Sequence, residues 1–171
     1  MMDLLIVRHA IAFERDRHRW HDDAERPLSP AGIRRARKAA SGLKELIEPP
    51  ERVLTSPLVR ARQTARILSA VAGWPQAIES PELSPEELPL PMLMLLGKER
   101  SKLVALVGHQ PALGLLLGAC LNGGAAPLAI ELKKNAVACL SFKGTPRAGH
   151  AILKWLATPR MLRAMRDTRA E

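Results

Sequence analysis

The fold of this 171-residue chain is indicated by a short stretch near its start, Leu4-Leu5-Ile6-Val7-Arg8-His9-Ala10. Its four consecutive aliphatic residues are too few for helical periodicity and are typical of a buried parallel strand. Arg8 and His9 then follow at the carboxyl end of that strand. Ligands of open α/β sheets bind outside the carboxyl ends of the strands. The stretch therefore predicts a parallel sheet with a cation and an imidazole at its binding edge.

Two further aliphatic runs repeat this pattern and also end in polar residues. Residues 52–56 end in Ser56, and the helix predicted to follow carries Arg60. Residues 102–107 are followed by Gly108-His109-Gln110-Pro111 and then by an apolar helix. Strands that alternate with helices in this way predict an α/β fold, a three-layer α/β/α sandwich around a mostly parallel central sheet.

The remaining elements are predicted from caps, breakers and periodicity. Ser29 is a suitable N-cap and Pro30 a suitable first residue for a helix that continues to about Ile47. Proline and glutamate at 75–91 indicate irregular structure. The other expectations, in chain order, are a surface loop over the site at 11–30, a helix from Pro57 capped by Gly73, a short helix at 92–97, a helix at 112–121, strands at 136–142 and 150–156, and a basic helix at 159–169.

Length and cysteine content indicate one domain over residues 1–171, long enough for a full core. Cys120 and Cys139 lie in apolar surroundings without CxxC spacing, which is typical of core residues in a reducing compartment, although a disulfide between them stays open. The start of the chain lacks the layout of a signal peptide, and no apolar run is long enough to span a bilayer. We therefore expect a soluble, cytoplasmic protein that does not bind membranes.

The formal net charge of +9 indicates a negatively charged partner: nucleic acid, a membrane surface or a phosphorylated substrate. Proteins that read single-stranded nucleic acid interleave basic residues with aromatic stacking platforms. This chain has no Tyr, two Phe and three Trp. We therefore do not expect nucleic acid as the partner.

The three predicted strand ends should converge, bringing together Arg8 with His9, Ser56 with Arg60, and His109. Two cations and two imidazoles suit a tetrahedral oxyanion, because a guanidinium grips phosphate with two parallel hydrogen bonds. A histidine can also act as a nucleophile and form a covalent intermediate. This set of residues therefore indicates chemistry on a phosphoryl group.

These residues and their neighbours are also compatible with other roles. Arg60 and Arg62 point about 200° apart on one helix, so at most one of them faces the site. Ser56 lacks the Gly-x-Ser-x-Gly elbow of a serine nucleophile, which favours a role as a cap or a phosphate neighbour. The loop residues His18, His21, Asp22 and Asp23 have spacing that could bind a metal, but charged loops are usually solvated, so no metal is expected. Asp22 and Asp23 stay open as proton donors.

Three segments resemble, in order and spacing, the signatures of the histidine phosphatase superfamily. They are Val7-Arg8-His9-Ala10, Thr55-Ser56-Pro57-Leu58-Val59-Arg60-Ala61-Arg62-Gln63-Thr64-Ala65 and Val107-Gly108-His109-Gln110-Pro111. The small size and Arg26-Pro27-Leu28-Ser29-Pro30-Ala31-Gly32 resemble its SixA-type phosphohistidine phosphatases. The resemblance covers residues 3 to 157 and implies a phosphoglycerate-mutase-like fold.

The resemblance also implies roles for individual residues. His9 would be the nucleophile that becomes phosphorylated, and Arg8, Arg60 and His109 would hold the phosphoryl oxygens, with Ser56 beside the phosphate. No cofactor and no metal would be required. The implied function is a phosphatase that removes phosphate from phosphohistidine in proteins. Its partner would be a phosphorylated protein, such as a histidine-phosphotransfer domain, or a small phosphorylated substrate.

The chain departs from the family pattern at two positions. Ala10 replaces the usual glycine after Arg-His, which reduces backbone freedom at the turn. Branches that act on phosphate monoesters often carry a glutamate in a Leu-x-Glu context, whereas Leu83-Ser84 is followed here by Pro85. Glu82, Glu86 and Glu87 are near, but none fits the pattern. The alternatives are a small-molecule phosphomonoesterase on the same scaffold and a non-catalytic reader of phosphoproteins or nucleic acid.

Overall fold

A six-stranded sheet forms the centre of the structure, a computed structural model that describes residues 1–124, 128 and 130–166. The strands are β1 (Met2–Arg8), β2 (Arg52–Thr55), β3 (Ile78–Glu79), β4 (Leu103–Gly108), β5 (Val137–Phe142) and β6 (Ala151–Ala157). Their order across the sheet is β3-β2-β4-β1-β5-β6. The first four strands pair in parallel, while β5 pairs antiparallel with β1 and β6 antiparallel with β5. The sheet is therefore mixed, and its parallel part contains all three strands that end in motif residues.

Helices cover both faces of the sheet. They are α1 (Pro30–Leu46), α2 (Val59–Ala72), α3 (Pro89–Leu96), α4 (Ala112–Asn122) and α5 (Pro159–Arg166). Within the residues described, none of these helices has the length and apolar character needed to cross a membrane.

The alternation of side chains along β1 explains the three layers. Leu4 and Ile6 pack into a core with residues of α3 and α4, including Leu117. Leu5 and Val7 point to the opposite face and pack with residues of α1, α2 and α5, including Leu43. Residues 4–7 of β1 are apolar on both faces, so the strand needs a helical layer on each side. The expected α/β/α sandwich with a mostly parallel sheet is confirmed.

The predicted start of α1 is confirmed in detail. Ser29 is the N-cap, its hydroxyl accepts a hydrogen bond from the Gly32 backbone N–H, and Pro30 is the first helical residue. The prediction for α2 was two residues early, because the helix begins at Val59 and not at Pro57. Its N-cap Leu58 donates its N–H to the Ser56 hydroxyl, so the residues between strand and helix form a turn. At the other end, Gly73 caps α2 as predicted, with φ +73°.

The segment predicted to be irregular contains more order than expected. Strand β3 lies within it, but two exposed residues are too few to give an alternating pattern. A 3₁₀ turn follows at Pro81–Leu83, and α3 begins at Pro89 rather than at residue 92. At the end of the chain the predicted basic helix is present over 159–166, and the expectation for 167–169 lies outside the described residues.

The two cysteines are buried and free. Cys120 belongs to the core on the α3 and α4 face, whereas Cys139 belongs to the core on the opposite face of the sheet. The sheet therefore separates the two thiols, and the disulfide that the sequence left open does not form.

Gly32 provides a test of how the loop before α1 is packed. A Cβ at this position would lie 1.9 Å from the Ile11 carbonyl oxygen, which is backbone and cannot rotate away. We expect Gly32→Ala to lower the free energy of unfolding by at least about 2 kcal/mol, measured by urea denaturation. The control is Gly118→Ala in α4, where a Cβ would meet nothing within 4 Å. That variant should be more stable than wild type by about 0.5–1 kcal/mol, and equal effects at both glycines would contradict the packing described.

Candidate active site

The carboxyl ends of three parallel strands meet at one point through backbone hydrogen bonds. The N–H of His9 donates to the Gly108 carbonyl at 2.9 Å, which ties the end of β1 to the end of β4. The N–H of Ser56 donates to the Val107 carbonyl, also at 2.9 Å, which ties β2 to β4. The convergence expected from the sequence is therefore present in the structure.

A cavity of about 360 Å³ lies at this convergence. Four of the five predicted site residues line it: Arg8, His9, Arg60 and His109. The fifth, Ser56, lies behind His109 and is fully buried. The remaining lining residues are Glu14, Arg15, Arg26, Pro85, Gln110 and Lys134.

His9 has a defined tautomer. Its Nδ1 lies 2.7 Å from the carbonyl oxygen of Ala10. A carbonyl only accepts hydrogen bonds, so Nδ1 carries the hydrogen and Nε2 keeps its lone pair. Burial lowers the pKa of His9 to about 3, with smaller contributions in the same direction from the charges of Arg60 and Arg8. At neutral pH the ring is therefore uncharged, with an unprotonated nitrogen available for chemistry.

His109 is held by Ser56 and is also uncharged at neutral pH. Its Nε2 lies 2.8 Å from the Ser56 hydroxyl oxygen, while its Nδ1 is buried without a hydrogen-bond partner. Burial, with a smaller contribution from the neighbouring His9, lowers the pKa of His109 to about 2. The two rings are 4.9 Å apart between centroids and tilted by 51°. Both imidazoles therefore face one small volume.

The two arginines are anchored by some of their nitrogens and leave others free. Arg8 donates from Nη1 to the Leu132 carbonyl at 2.7 Å. Arg60 donates from Nη1 to the Asp23 carbonyl at 2.7 Å, and its Nη2 lies 3.1 Å from the Asp23 carboxylate. The Nε of each arginine is buried without a partner. Burial lowers the pKa of both groups, but arginine stays charged, so the cavity holds fixed positive charge with unused donors.

Asp23 and Arg26, which lie in the loop before α1, also contribute to the site. Arg26 occurs in one of the quoted motifs, where no local pattern indicates a role for it, but in the structure it is buried and lines the cavity. Its Nε donates to the Asp23 carboxylate at 2.7 Å. This hydrogen bond is the main cause that lowers the pKa of Asp23, and Arg60 contributes further. Asp23 is therefore ionised at neutral pH and orients two arginines, which argues against its suggested role as a proton donor.

Two polar residues of α2 hold the ends of this loop. The Thr64 hydroxyl accepts the Ala10 N–H at 3.0 Å, and the Gln63 side-chain carbonyl accepts the Leu28 N–H at 2.7 Å. Both residues lie in the second motif, where no pattern in the sequence indicates this role. Their position one helical turn after Arg60 explains why the motif extends past the arginine.

Arg62 lies outside the cavity, in contrast to Arg60 two residues before it. Its Nη1 forms a surface ion pair with Glu79 at 3.2 Å. The loop histidines His18 and His21 are exposed. Asp22 accepts a hydrogen bond from the Ala24 N–H and caps the 3₁₀ turn Asp23–Glu25. In the described part of the chain, no group of three or more metal-ligating side chains is close enough to hold an ion.

The first departure from the family pattern is accommodated without strain. Asn135 is the one non-glycine residue with positive φ among those the structure describes, so Ala10 lies outside the left-handed region. Alanine therefore fits the turn after His9, where it is almost fully buried.

The second departure changes the wall of the cavity. Pro85, at the position where a Leu-x-Glu pattern would place the carboxylate, lines the cavity with an aliphatic ring. Glu82 instead accepts a hydrogen bond from the Ser80 hydroxyl, which lowers the pKa of its carboxyl group. Glu86 and Glu87 line a neighbouring depression. Among the described residues, the carboxylate that does line the active-site cavity belongs to Glu14, an exposed residue that no sequence motif indicates.

Comparison with known proteins agrees with this geometry. Residues 4–84 match the histidine phosphatase superfamily (branch 1). An uncharacterised protein of Picosynechococcus sp. is 41% identical over 117 residues, which cover 66% of this chain and 69% of that protein. Phosphohistidine phosphatase SixA of Escherichia coli (strain K12) is 29% identical over 141 residues, or 80% of this chain and 84% of SixA. A structure of protein histidine phosphatase SixA complexed with tungstate superposes with a TM-score of 0.81 at 28% identity, covering 94% of this chain and 99% of the other.

The fold, the motifs and these matches define the class of protein. The chain belongs to the histidine phosphatase superfamily and is a phosphatase. Within that superfamily it is of the SixA type, in sequence and in fold.

The two buried histidines should make the protein sensitive to acid. Between about pH 6.5 and 3 the unfolded chain binds protons at these residues that the folded chain does not, so stability falls as the pH falls. From pH 7 to pH 5, in buffer free of phosphate, each histidine should lower the free energy of unfolding by up to about 2 kcal/mol. His9→Asn and His109→Asn should each reduce this dependence, measured by urea denaturation at both pH values. Variants that keep the wild-type dependence would show that the histidines are not its source.

Proposed function

We propose that this phosphatase hydrolyses phosphohistidine in proteins through a phosphorylated His9. The observation that supports the proposal most directly is the state of His9, an uncharged imidazole whose Nδ1–H is fixed on the Ala10 carbonyl. Its Nε2 lone pair therefore needs no base to remove a proton before it attacks phosphorus.

In the first step Nε2 of His9 attacks the phosphorus atom of the substrate. A bond forms between Nε2 and phosphorus, and the bond between phosphorus and the substrate nitrogen breaks. The electron pair of the broken bond stays on the departing imidazole. If the other nitrogen of that ring already carries a proton, the imidazole leaves as a neutral molecule. The phosphoryl group is now on His9.

In the second step water attacks the phosphorus of phosphorylated His9. The bond between phosphorus and Nε2 breaks, the electron pair returns to Nε2, and the proton lost by water is carried away by the phosphate product. His9 is restored to its original tautomer because its Nδ1–H is held by the Ala10 carbonyl throughout. Two displacements at one nitrogen thus achieve the hydrolysis.

The charge on the transferring oxygens is met by donors that have no partner in the structure. Arg8 and Arg60 each present a buried Nε, and His109 presents a buried Nδ1. When the Ser56 hydroxyl donates to Nε2 of His109, Nδ1 carries the hydrogen and can donate to a phosphoryl oxygen. Donors that are already in place stabilise developing charge without reorganisation. Ser56 acts through His109, as a positioning residue.

The leaving group distinguishes phosphohistidine from phosphate esters. An alkoxide is strongly basic and needs a proton from a positioned acid, which contributes about 10²–10⁴-fold to the rate. The cavity has Pro85 where such an acid is expected, and Asp23 is ionised. These features favour cleavage of P–N bonds. The competing function, a phosphomonoesterase, is favoured by one observation, the Glu14 carboxylate at the cavity wall.

Removal of the nucleophile tests the covalent step. We expect His9→Ala to reduce hydrolysis of a small phosphoramidate at least about 10³-fold and to prevent trapping of labelled phosphate on the protein, because the proposed phosphoryl acceptor is removed. His109→Ala should still be labelled but should turn over about 10²–10³-fold more slowly. His150→Ala, which removes an exposed histidine before β6, is the matched control and should behave as wild type. Labelling of His9→Ala at the wild-type level would refute the assignment.

A second experiment tests the substrate class. With matched peptides, kcat/KM for phosphohistidine should exceed that for phosphoserine by at least about 10²-fold, because only the ester needs an enzyme acid. Glu14→Gln should leave the phosphohistidine reaction unchanged. If instead both peptides react at similar rates and Glu14→Gln slows only phosphoserine, Glu14 is the acid and the phosphomonoesterase function holds.

A further inference from the structure

A second depression of about 590 Å³ adjoins the active-site cavity. It lies among α1, α5 and the residues that precede β5. We define the basic groove by its six cationic side chains: Arg8, Arg35, Lys133, Lys134, Arg160 and Arg163. Glu131 is the one acidic residue among those that line it within the described chain. The groove therefore carries a surplus of about five positive charges.

Among the described residues, no cation of the basic groove forms an ion pair, and Glu131 is the one acidic residue whose charge acts on Arg8. The ion pairs formed by arginines between described residues involve Arg15, Arg26, Arg52, Arg60 and Arg62, none of which defines the groove. Arg35, Lys133 and Arg160 are exposed, and Lys134 and Arg163 are half-buried. Like charges gathered without counter-charges repel one another and destabilise the folded state. A bound anionic ligand would relieve that repulsion.

The basic groove is continuous with the active-site cavity. Arg8 and Lys134 line both depressions. Arg8 is anchored between them by its hydrogen bond to the Leu132 carbonyl. A ligand whose phosphoryl group lies against His9 can therefore extend past Arg8 into the groove.

We propose that the basic groove binds an acidic segment that flanks the phosphorylated histidine of a protein substrate. This inference rests on the proposed function and adds to it a property of the partner, namely clustered aspartate or glutamate beside the modified residue. Lysine and arginine heads on flexible stems, spread around an open groove, suit several separate carboxylates. Nucleic acid is the less suitable anion, because none of the described residues that line the groove is an aromatic side chain that could stack on a base.

The test is a direct binding measurement that does not depend on turnover. Two fluorescent peptides carry the same non-hydrolysable phosphonate analogue of phosphohistidine, flanked by aspartates in one and by serines in the other. At about 0.1 M salt we expect wild type to bind the acidic peptide about tenfold more tightly than the serine peptide. The double variant Arg35→Gln/Arg160→Gln should reduce this ratio to about threefold or less.

The matched control removes two charges from the same region outside the groove. Arg34→Gln/Arg37→Gln changes exposed arginines of α1 that do not line the groove, and its ratio should equal that of wild type. A ratio near one in wild type, or an equal loss in both double variants, would overturn the proposal. So would a single-stranded oligonucleotide that binds more tightly than the acidic peptide and is weakened only by the groove variant.

The experiments distinguish an error in the proposed role of the groove from an error in the proposed function. If wild type hydrolyses phosphohistidine but shows no preference for the acidic peptide, the proposed role of the groove is overturned and the proposed function is not. Preference for the acidic peptide through the groove, with no hydrolysis of phosphohistidine, would overturn the proposed function and leave the groove as a site for acidic segments.

Discussion

The site depends above all on the register between β1 and β4. These strands pair in parallel with Val7 opposite Val107 and Arg8 opposite Gly108, so His9 and His109 leave the sheet at the same level. A shift of one residue would exchange the side chains that Leu4 to Val7 send into the two cores, and neither core would keep its packing. The packing of Leu4 to Val7 on two faces thus enforces the alignment of the two imidazoles. The register between β1 and β4 therefore determines both the packing of the core and the geometry of the site.

Burial has different effects on the histidines and on the arginines of the active site. It makes the imidazoles of His9 and His109 neutral at physiological pH, because desolvation disfavours their charged forms. The guanidinium groups of Arg8 and Arg60 experience the same desolvation but stay charged, because their intrinsic pKa is so high. One environment therefore supplies both a nucleophilic nitrogen and a fixed positive field. A lysine in place of either arginine would lose its charge more readily.

The loop between β1 and α1 is ordered by contacts with α1 and α2 rather than by its own sequence. Gly32 allows the Ile11 carbonyl to approach α1, and Thr64 and Gln63 accept N–H groups from Ala10 and Leu28. With both ends held, the 3₁₀ turn at Asp23–Glu25 reaches Arg60. The loop can then complete the site although it has almost no regular structure.

Local patterns in the sequence were sufficient for much of the fold and for the centre of the site. The aliphatic run before Arg8, the Ser29 cap and the Gly73 stop are short-range signals, and each predicted its element closely. The two-residue strand β3 and the start of α2 gave no such signal, because the first is too short for a period and the second depends on the turn at Ser56.

The three strand ends were enough to select His9 and His109 as candidates, because parallel strands bring their carboxyl ends together wherever they lie in the chain. The family resemblance selected Arg60 rather than Arg62. Tertiary structure alone decided the surroundings of those residues. The pairing of Asp23 with Arg60, and the place of Pro85 in the cavity wall, join segments far apart in sequence that have no periodicity to predict them. The sequence by itself determined which groups could react, because short aliphatic runs predict where the strands that carry these groups end. Which groups orient them was decided by long-range packing, because a loop takes its shape from the surfaces it touches.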